Sequence, residues 1–195
     1  MQLRRELRVR RRALTPAQRS AAGVALAGLI VGLPEFRDAE HIAVYMATDG
    51  EMDPAVAAAE ARRAGKHLYL PLLAPNTPDA LQFSVWQADT LLHPNRFRIP
   101  EPPFDPGKLR APADLDLVFV PLVAFDVHGH RLGMGGGFYD RSFAFLISGA
   151  RKPVLIGLAY EFQQLPALNA ESWDVPLVGV VTERAVYRFP GRIIT

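Results

Sequence analysis

The residues best suited to chemistry lie together in the segment Val120–Arg141. Residues 133–137, Gly-Met-Gly-Gly-Gly, form a run that we call the glycine loop. Glycines let a backbone approach a ligand closely and direct successive N–H groups at one anion. Arg131 precedes the loop and could neutralise a phosphate oxygen, while Asp140 follows it and could hold Mg²⁺ on that phosphate. The segment therefore predicts a phosphate-binding site.

A simpler interpretation of the glycine loop is a flexible turn that only reverses the chain, because a bare glycine run is a weak signal. No Gly-Lys-Ser/Thr follows the run, so it is not a Walker loop. Its late position and glycine spacing do not match the dinucleotide-binding fingerprint. Its position between a strand and a helix, with Arg131 and Asp140 on either side, favours phosphate binding.

The elements around the loop predict an α/β fold. A buried strand over Leu115–Pro121 precedes the loop, and a helix over residues 138–147 follows it, with its N-terminus favourable to phosphate. Upstream, strands over His41–Ala47 and His67–Leu72 enclose a helix that opens at Asp53-Pro54 and stops at Gly65. This βαβ order predicts a mainly parallel sheet flanked by helices.

Further elements extend this plan on both sides. An amphipathic helix is predicted over residues 2–13, and Thr15, Pro16 and Gln18 give the start signals of a second helix over residues 16–32 that Pro34 ends. Leu81–Trp86 is predicted as an edge strand or hairpin arm, and the six prolines of residues 94–113 as a surface loop. The last predicted strands are Pro153–Leu158, Val178–Val181 and Ala185–Phe189.

Composition indicates a globular protein. The 195 residues suit one domain over residues 1–195, and 49% hydrophobic with 22% charged residues are ordinary values. The sequence has no cysteine, which excludes disulfides, thiolate nucleophiles and Cys-ligated metals and fits a reducing cytoplasm. No signal peptide is visible, and no apolar run approaches the ~20 residues that a membrane span needs.

The positive charge is concentrated at the N-terminus. Residues 1–12 contain six arginines and one glutamate, a balance of +5, although the net charge of the whole chain is +2. Such a cluster can bind phosphates or nucleic acid, or it can be a solvated helix end.

These features together resemble one known family. The string from Phe125-Asp126 through Gly129 and Arg131 to Phe138-Tyr139-Asp140-Arg141 is similar to the signature of the 5-formyltetrahydrofolate cyclo-ligase family. The resemblance spans nearly the whole chain. It includes the basic first helix, Tyr45–Asp53, Arg98–Pro102, Gly157–Gln164 and Trp173–Leu177, in the right order.

The resemblance implies a three-layer α/β fold of the NagB/RpiA/CoA-transferase type and assigns the nucleotide site. In the family, ATP phosphates lie against the glycine loop and two basic residues of the first helix, which match Arg4 and Arg8 here; Arg5 is an alternative to Arg4. Asp140 matches the Mg²⁺ ligand, and Asp174 a second acidic position near the metal, although an Asp before Val-Pro is also a common turn residue. The implied ATP-binding residues are Arg4, Arg8, Arg131, Gly133, Met134, Gly135, Gly136, Gly137, Phe138 and Tyr139.

The resemblance also assigns the folate site. Glu51 matches the acidic residue that holds the pterin, and a carboxylate can accept two hydrogen bonds from the paired N–H edge of that ring. Met46, Phe97 and Tyr139 match positions that line the folate pocket. Without the resemblance, the sequence would assign Met46 to the core of a strand. Some members have basic residues where this chain has Met134 and Gly136, which leaves the phosphate charge to Arg131, the helix arginines, Mg²⁺ and backbone N–H groups.

The activity implied by the resemblance is the ATP-dependent closure of 5-formyltetrahydrofolate to the 5,10-methenyl form, by a cytoplasmic and monomeric enzyme. Arg131 and Asp140 would be its catalytic residues. Two alternatives stand beside it: an RNA-binding module of the same fold that uses the arginine helix, and a kinase or ligase for another small molecule. The helix has no interleaved aromatic residues for base stacking, which disfavours RNA. His128 and His130 have no evident third partner, so they predict a turn and not a metal site.

Overall fold

A central sheet with helices packed on it forms the core of the computed structural model, which describes residues 2–73, 79–169 and 171–189. The helices in these ranges are α1 (Gln2–Arg12), α2 (Pro16–Ile30), α3 (Pro34–Asp38), α4 (Ala55–Arg63) and α5 (Phe138–Ser142). The first seven strands are β1 (His41–Ala43), β2 (His67–Leu73), β3 (Leu81–Val85), β4 (His93–Pro94), β5 (Pro100–Glu101), β6 (Leu109–Arg110) and β7 (Leu117–Pro121). The others are β8 (Ala124–Asp126), β9 (Arg131–Leu132), β10 (Val154–Leu158), β11 (Gln164–Leu165), β12 (Gly179–Val181) and β13 (Val186–Arg188).

The main sheet is mostly parallel, as the βαβ order predicts. Its eight strands run in the order β13-β12-β10-β7-β1-β2-β3-β6. The inner pairs β12/β10, β10/β7, β7/β1 and β1/β2 are parallel, and the outer pairs β2/β3, β3/β6 and β12/β13 are antiparallel. The carboxyl ends of β1 and β7 therefore meet at one edge, where ligands of open α/β sheets bind.

Side chains of the parallel strands alternate between two buried clusters, one on each face of the sheet. Leu117 and Phe119 pack with the α2 and α4 side chains, whereas Val118 and Val120 pack with Phe143 on the opposite face. Because both faces are covered, the inner strands are apolar throughout, which explains the continuous hydrophobic run that predicts β7. The arrangement is the three-layer α/β architecture that the sequence predicts.

The start of α2 confirms its predicted signals. The Thr15 hydroxyl accepts the backbone N–H of Gln18, the Gln18 side chain accepts the backbone N–H of Thr15, and Pro16 occupies the first turn. The predicted end is wrong, because α2 stops at Ile30 and Pro34 begins the short helix α3. Proline fits the first turn of a helix as well as the position after one, so the sequence alone did not separate these two roles.

Several predicted strands are shorter in the structure. The expected strand over His41–Ala47 leaves the sheet after Ala43, although Val44 and Tyr45 are still buried. The chain turns there into the segment that carries Glu51, with positive φ at Asp49 and Gly50. The helix expected over residues 138–147 is also wrong, since α5 ends at Ser142 and a separate 3₁₀ turn covers Ala144–Leu146.

Two further features were not predicted in detail. Leu81–Trp86 contains the hairpin arm β3, but the edge of the sheet is the two-residue strand β6 within the proline-rich segment. That segment also carries the β4/β5 hairpin. A second small sheet, in the order β11-β8-β9, leads into the glycine loop through β9 and escaped prediction because each strand has only two or three residues.

No helix within the described parts of the chain is both long and apolar enough to cross a membrane.

Candidate active site

The glycine loop connects β9 to α5 and is held by hydrogen bonds to its backbone oxygens. Arg4 Nε donates to Gly133 O over 2.8 Å, and Arg141 Nη2 donates to Gly136 O over 2.6 Å. These two hydrogen bonds fix the carbonyl groups of Gly133 and Gly136. The residues of the loop remain exposed or partly exposed. Arg4 therefore lies at the glycine loop, as the family resemblance implies, and its phosphate contact stays a prediction.

Gly137 is the point at which the loop enters α5. Its φ is +64°, in the left-handed region, and a Cβ on this residue would lie 2.7 Å from Arg141 Nη1. Any larger residue would therefore be strained and would displace the guanidinium that binds Gly136. The helix that follows has only five residues, so the long helix dipole expected behind the phosphates is not present.

Arg131 is bound to protein groups at both ends of its guanidinium. Nη1 donates to the backbone oxygen of Val175, and Nη2 pairs with the carboxylate of Asp140. Only 6% of the Arg131 side chain is exposed. The residue expected to face a phosphate oxygen therefore holds Asp140 in this structure, and its direct phosphate contact stays a prediction.

Asp140 has one oxygen engaged and one available. Oδ1 accepts from Arg131 and, over 3.1 Å, from the backbone N–H of Val175, while no donor among the described residues reaches Oδ2. In the described chain no group of three or more His, Cys, Asp or Glu residues could hold a metal ion. Mg²⁺ bound to nucleotide phosphates needs only one or two carboxylates, because phosphate oxygens and water fill the rest of its shell. Asp140 therefore fits a magnesium ligand.

Asp174 is placed next to this carboxylate by the chain, since its neighbour Val175 bonds to Asp140. The Oδ2 atom of Asp174 accepts the backbone N–H of Glu171 over 2.9 Å, which closes a local turn. The turn interpretation of Asp174 is thus confirmed, and a metal contact through its other oxygen stays a prediction.

Glu51 is a buried carboxylate in the segment that follows β1. It is 8% exposed, and its Oε2 accepts the backbone N–H of Thr48 over 3.0 Å and the Thr48 hydroxyl over 3.3 Å. Oε1 accepts no hydrogen bond from the described residues and lies 3.8 Å from Arg11 Nη2. Burial raises the pKa of Glu51, and the Thr48 contacts and Arg11 only partly oppose that shift. A buried carboxylate with a vacant acceptor is suited to a ligand that offers N–H groups.

Arg8 binds the same segment as Glu51. Its Nε donates to Asp49 Oδ2 over 2.7 Å, which raises the pKa of Arg8. Burial works against ionisation of Asp49, but the hydrogen bonds from Arg8 and Arg11 outweigh it and lower the pKa of Asp49. Arg8 thus lies one helical turn from Arg4, as predicted, but is bound to Asp49, and its expected phosphate contact stays a prediction.

The charges of Glu51 and Arg131 both act on Tyr139. Burial raises the pKa of Tyr139, and the negative charge of Glu51 raises it further, whereas Arg131 lowers it. Tyr139 therefore lies within electrostatic range of both Glu51 and Arg131. Tyr45, which is 4% exposed, also has its pKa raised by burial and by Glu51.

The proline-rich segment supplies one more predicted residue. Phe97 is 53% exposed, and its ring meets Phe138 edge-on with centroids 5.8 Å apart. The Asn95 side-chain oxygen accepts the backbone N–H groups of Phe97 and Ile99, which fixes the tip of the β4/β5 hairpin. Met46 is partly buried against the α2/α4 cluster, which agrees with its core interpretation and leaves its folate contact a prediction.

Sequence reasoning missed Arg11, Arg141 and Gln163. Arg11 is 1% exposed and binds Asp49 and Leu122, and Gln163 Nε2 donates to Leu122 O over 2.9 Å. One signal could have found Arg11, because it lies on the same helical face as Arg8 and the buried Leu7. Arg141 and Gln163 act through backbone oxygens, which leave no pattern in a sequence.

The arrangement combines two recognition devices at one sheet edge. The glycine loop, with Arg4 and the vacant oxygen of Asp140, suits a polyphosphate and its cation. The Glu51 segment, with Tyr139 within electrostatic range of it, suits a flat heterocycle that offers N–H donors. Together they can hold two substrates and transfer a phosphoryl group between them without a nucleophilic side chain.

Comparison with known proteins gives consistent matches. A model described as the 5-formyltetrahydrofolate cyclo-ligase family matches residues 1–183. The 5-formyltetrahydrofolate cyclo-ligase of Escherichia coli (strain K12) is 39% identical over 183 residues, which cover 94% of this chain and 100% of that protein. The enzyme of the same name from Haemophilus influenzae is 39% identical over 180 residues, covering 92% and 95%. The solved structure of Aquifex aeolicus 5,10-methenyltetrahydrofolate synthetase superposes with a TM-score of 0.82 at 30% identity, covering 100% of this chain and 95% of that one.

Proposed function

Because the chain belongs to the 5-formyltetrahydrofolate cyclo-ligase family, we propose that it converts 5-formyltetrahydrofolate to 5,10-methenyltetrahydrofolate with ATP, releasing ADP and phosphate. One observation carries the proposal beyond family membership. Helix α1 binds the glycine loop through Arg4 and the Glu51 segment through Arg8 and Arg11. A phosphate-binding loop and a buried carboxylate are thereby held at one site.

The reaction proceeds by activation of the formyl oxygen. That oxygen attacks the γ-phosphorus of ATP, the bond from phosphorus to the β-phosphate oxygen breaks, and ADP leaves. N10 then attacks the formyl carbon, its carbon–oxygen bond breaks to release phosphate, and N10 loses its proton. An amide oxygen is a poor leaving group, so its phosphorylation supplies the driving force for ring closure.

The residues of this chain position the two substrates and neutralise the charge of the phosphates. The glycine loop N–H groups orient the phosphates, together with the Arg4 guanidinium nitrogens that do not bind Gly133. Glu51 accepts the N–H edge of the pterin and orients N5 and N10. Mg²⁺, held by Asp140 with Asp174 nearby, would neutralise charge on the transferring phosphoryl group. Positioning of two substrates accounts for much of the rate, because it removes the entropy of bringing them together.

The test mixes the protein with 5-formyltetrahydrofolate and Mg·ATP and records the near-ultraviolet absorbance of the methenyl product. We expect the absorbance to rise only when both substrates are present, and omission of ATP is the control. No rise in the complete mixture, with folded protein, would contradict the proposed activity.

The RNA-binding alternative is disfavoured by the contacts of the arginine helix. Arg4, Arg8, Arg11 and Arg12 bind protein oxygens, and Arg10 lies over the Phe162 ring. Five of the six arginines of residues 1–12 thus make contacts within the protein. An affinity for RNA that falls steeply with salt would instead support the RNA-binding alternative.

The cytoplasmic location, the monomeric state and one domain over residues 1–195 also stay proposals. Size-exclusion chromatography with light scattering tests the monomeric state.

A further inference from the structure

Arg11 is a charged residue that is buried in the protein interior. Its side chain is 1% exposed and ranks among the largest fully buried side chains of the protein. A buried guanidinium is costly unless its donors are satisfied and its charge is paired. Arg11 is the one arginine of α1 that is buried. Its burial therefore indicates a specific structural role.

The donors of Arg11 join three separate segments. Nε donates to Asp49 O over 3.0 Å, Nη2 to Asp49 Oδ2 over 2.9 Å and Nη1 to Leu122 O over 3.3 Å. Nη2 also lies 3.8 Å from Glu51 Oε1. The guanidinium therefore connects α1 to the segment after β1 and to the segment after β7, and these two segments lead to Glu51 and to the glycine loop.

The segment that Arg11 binds has a backbone that needs support. Asp49 has φ +51° and Gly50 has φ +73°, and a Cβ on Gly50 would lie 3.0 Å from the Arg11 backbone oxygen. A non-glycine residue in the left-handed region is unfavourable and persists only where surrounding contacts hold it. The bond from Arg11 Nε to the Asp49 carbonyl is such a contact, immediately before Glu51.

We propose that Arg11 is a positioning residue for folate: it fixes the Asp49–Glu51 turn and aims the Glu51 carboxylate at the substrate, without touching the substrate itself. The inference rests on the proposed function, in which Glu51 is the pterin anchor. An arginine suits this role because its planar fork satisfies the Asp49 carbonyl, the Asp49 carboxylate and Leu122 together, which a lysine point charge does not. Its positive charge also favours the ionised form of the buried Glu51.

The test measures the affinities of Arg11→Lys for 5-formyltetrahydrofolate and for a non-hydrolysable ATP analogue. Loss of the fork should raise the Kd for the folate about tenfold, in line with charged hydrogen bonds, and change the Kd for the ATP analogue by less than about threefold. In the Glu51→Gln background, Arg11→Lys should have no further effect on folate affinity, because residues that act through one another are not additive. Arg12→Met is the matched control, since Arg12 also pairs with Asp49 but is 51% exposed.

The thermal shift that each ligand causes distinguishes a general loss of stability from a specific loss of folate binding. A variant that is merely less stable keeps both ligand-induced shifts, because ligand binding stabilises any foldable chain by mass action. The proposal requires Arg11→Lys, and Arg11→Gln as a second variant, to keep the ATP-analogue shift and, at one hundred times the wild-type Kd for the folate, to lose about half of the folate shift or more. Equal losses for both ligands, or wild-type folate affinity, would overturn the role of Arg11. Failure of the wild-type protein to bind the folate would instead overturn the proposed function.

Discussion

The two carboxylates of the site, Asp140 and Glu51, have different surroundings and suit different roles. Asp140 is paired with the buried Arg131 and keeps one oxygen for a cation, whereas Glu51 is buried with a raised pKa and keeps one oxygen for a ligand. The first suits charge neutralisation at the phosphates, and the second suits recognition of N–H donors.

The Asp140 assignment is tested best by Asp140→Asn. An amide keeps an oxygen for the Val175 N–H but removes the negative charge, so kcat should fall by about 10²-fold or more, as for loss of an electrostatic catalytic group. Steady-state kinetics with saturating Mg·ATP provide the measurement. Asp140→Ala should also abolish turnover, but it leaves Arg131 without its partner and would lower stability by up to about 3–5 kcal/mol. Full activity of folded Asp140→Asn would refute the assignment.

Glu51→Gln should weaken folate binding far more than ATP binding. The amide cannot accept two charge-assisted hydrogen bonds, and a loss of about 1.5–3 kcal/mol is expected. Because burial raises the pKa of Glu51, wild-type folate affinity should decline on acidification at a pH above the usual glutamate range. Isothermal titration against pH checks this, with the ATP analogue as control. A pH profile that is unchanged in Glu51→Gln would mean that another group carries the acidic limb.

The contribution of Glu51 to the stability of the protein should depend on pH in the opposite direction to its contribution to folate affinity. A carboxyl whose pKa is raised on folding favours the folded state when protonated, and that contribution is lost as pH rises through the folded pKa. Ionisation of the buried wild-type Glu51 therefore carries a free-energy cost that the neutral amide of Gln does not. We expect Glu51→Gln to unfold at a temperature no lower than wild type at neutral pH, with the advantage disappearing in acid. A large drop in the melting temperature at pH 7 would contradict the direction of the shift.

At this scale the sequence predicted residue types better than their contacts. The family resemblance implied that Arg4 lies at the glycine loop, and its hydrogen bond to Gly133 places it there. The pairing of Arg131 with Asp140 was not predicted, because it depends on the folded shape of the glycine loop between them. The burial of Arg11 was not predicted either, because its partners Asp49 and Leu122 are distant in sequence.

The elements of the site are turns held in fixed shapes, and glycine substitutions probe them. In Gly133→Ala the added Cβ meets nothing within 4 Å, and no positive φ is needed. We therefore expect unchanged stability but a raised KM for ATP, because a methyl group would stand where the phosphates approach the backbone. Thermal unfolding and ATP kinetics on one preparation give both values.

Gly129→Ala is the contrasting variant. Gly129 has φ +82°, and its Cβ would lie 2.6 Å from the Phe189 ring. Left-handed backbone alone costs about 1–2 kcal/mol for alanine, so this variant should lose stability at the turn between β8 and β9. If Gly133→Ala were the less stable of the two, with normal ATP kinetics, the loop would be a structural turn and not a phosphate site.

Elements were predictable where their apolar patterns were long. The strands β2, β7 and β10 were anticipated because both of their faces are buried and apolar. The helix after the glycine loop was overpredicted because Phe143 leaves helical geometry, with φ −117°, and packs fully buried against Phe83. Tertiary packing thus overrode a local helical pattern, as it often does.

At the scale of the whole molecule, α1 connects the two proposed substrate sites. It reaches the glycine loop with its first turn and the Glu51 segment with its last turn. Folding of the helix onto the sheet edge therefore completes both sites together. Most of the N-terminal charge, which suggested nucleic acid as an alternative, is used in these internal contacts.

Ligands should accordingly stabilise the whole chain. At one hundred times Kd, each ligand adds about 2.7 kcal/mol by mass action, and for a chain of this size each kcal/mol raises the melting temperature by roughly 2–4 °C. We expect shifts from the ATP analogue and from 5-formyltetrahydrofolate separately, and a larger shift from both. Differential scanning fluorimetry provides the test. A folate shift that is unchanged in Glu51→Gln would place the folate elsewhere.

The most direct measurement of the central claim counts both products of one reaction. Protein, 5-formyltetrahydrofolate and Mg·ATP are incubated together, and 5,10-methenyltetrahydrofolate and ADP are quantified from the same samples over time. If the glycine loop and Glu51 serve one reaction, the two products form in equal amounts, and neither forms when either substrate is omitted. ADP that accumulates without the methenyl product, or independently of the folate, would contradict the account.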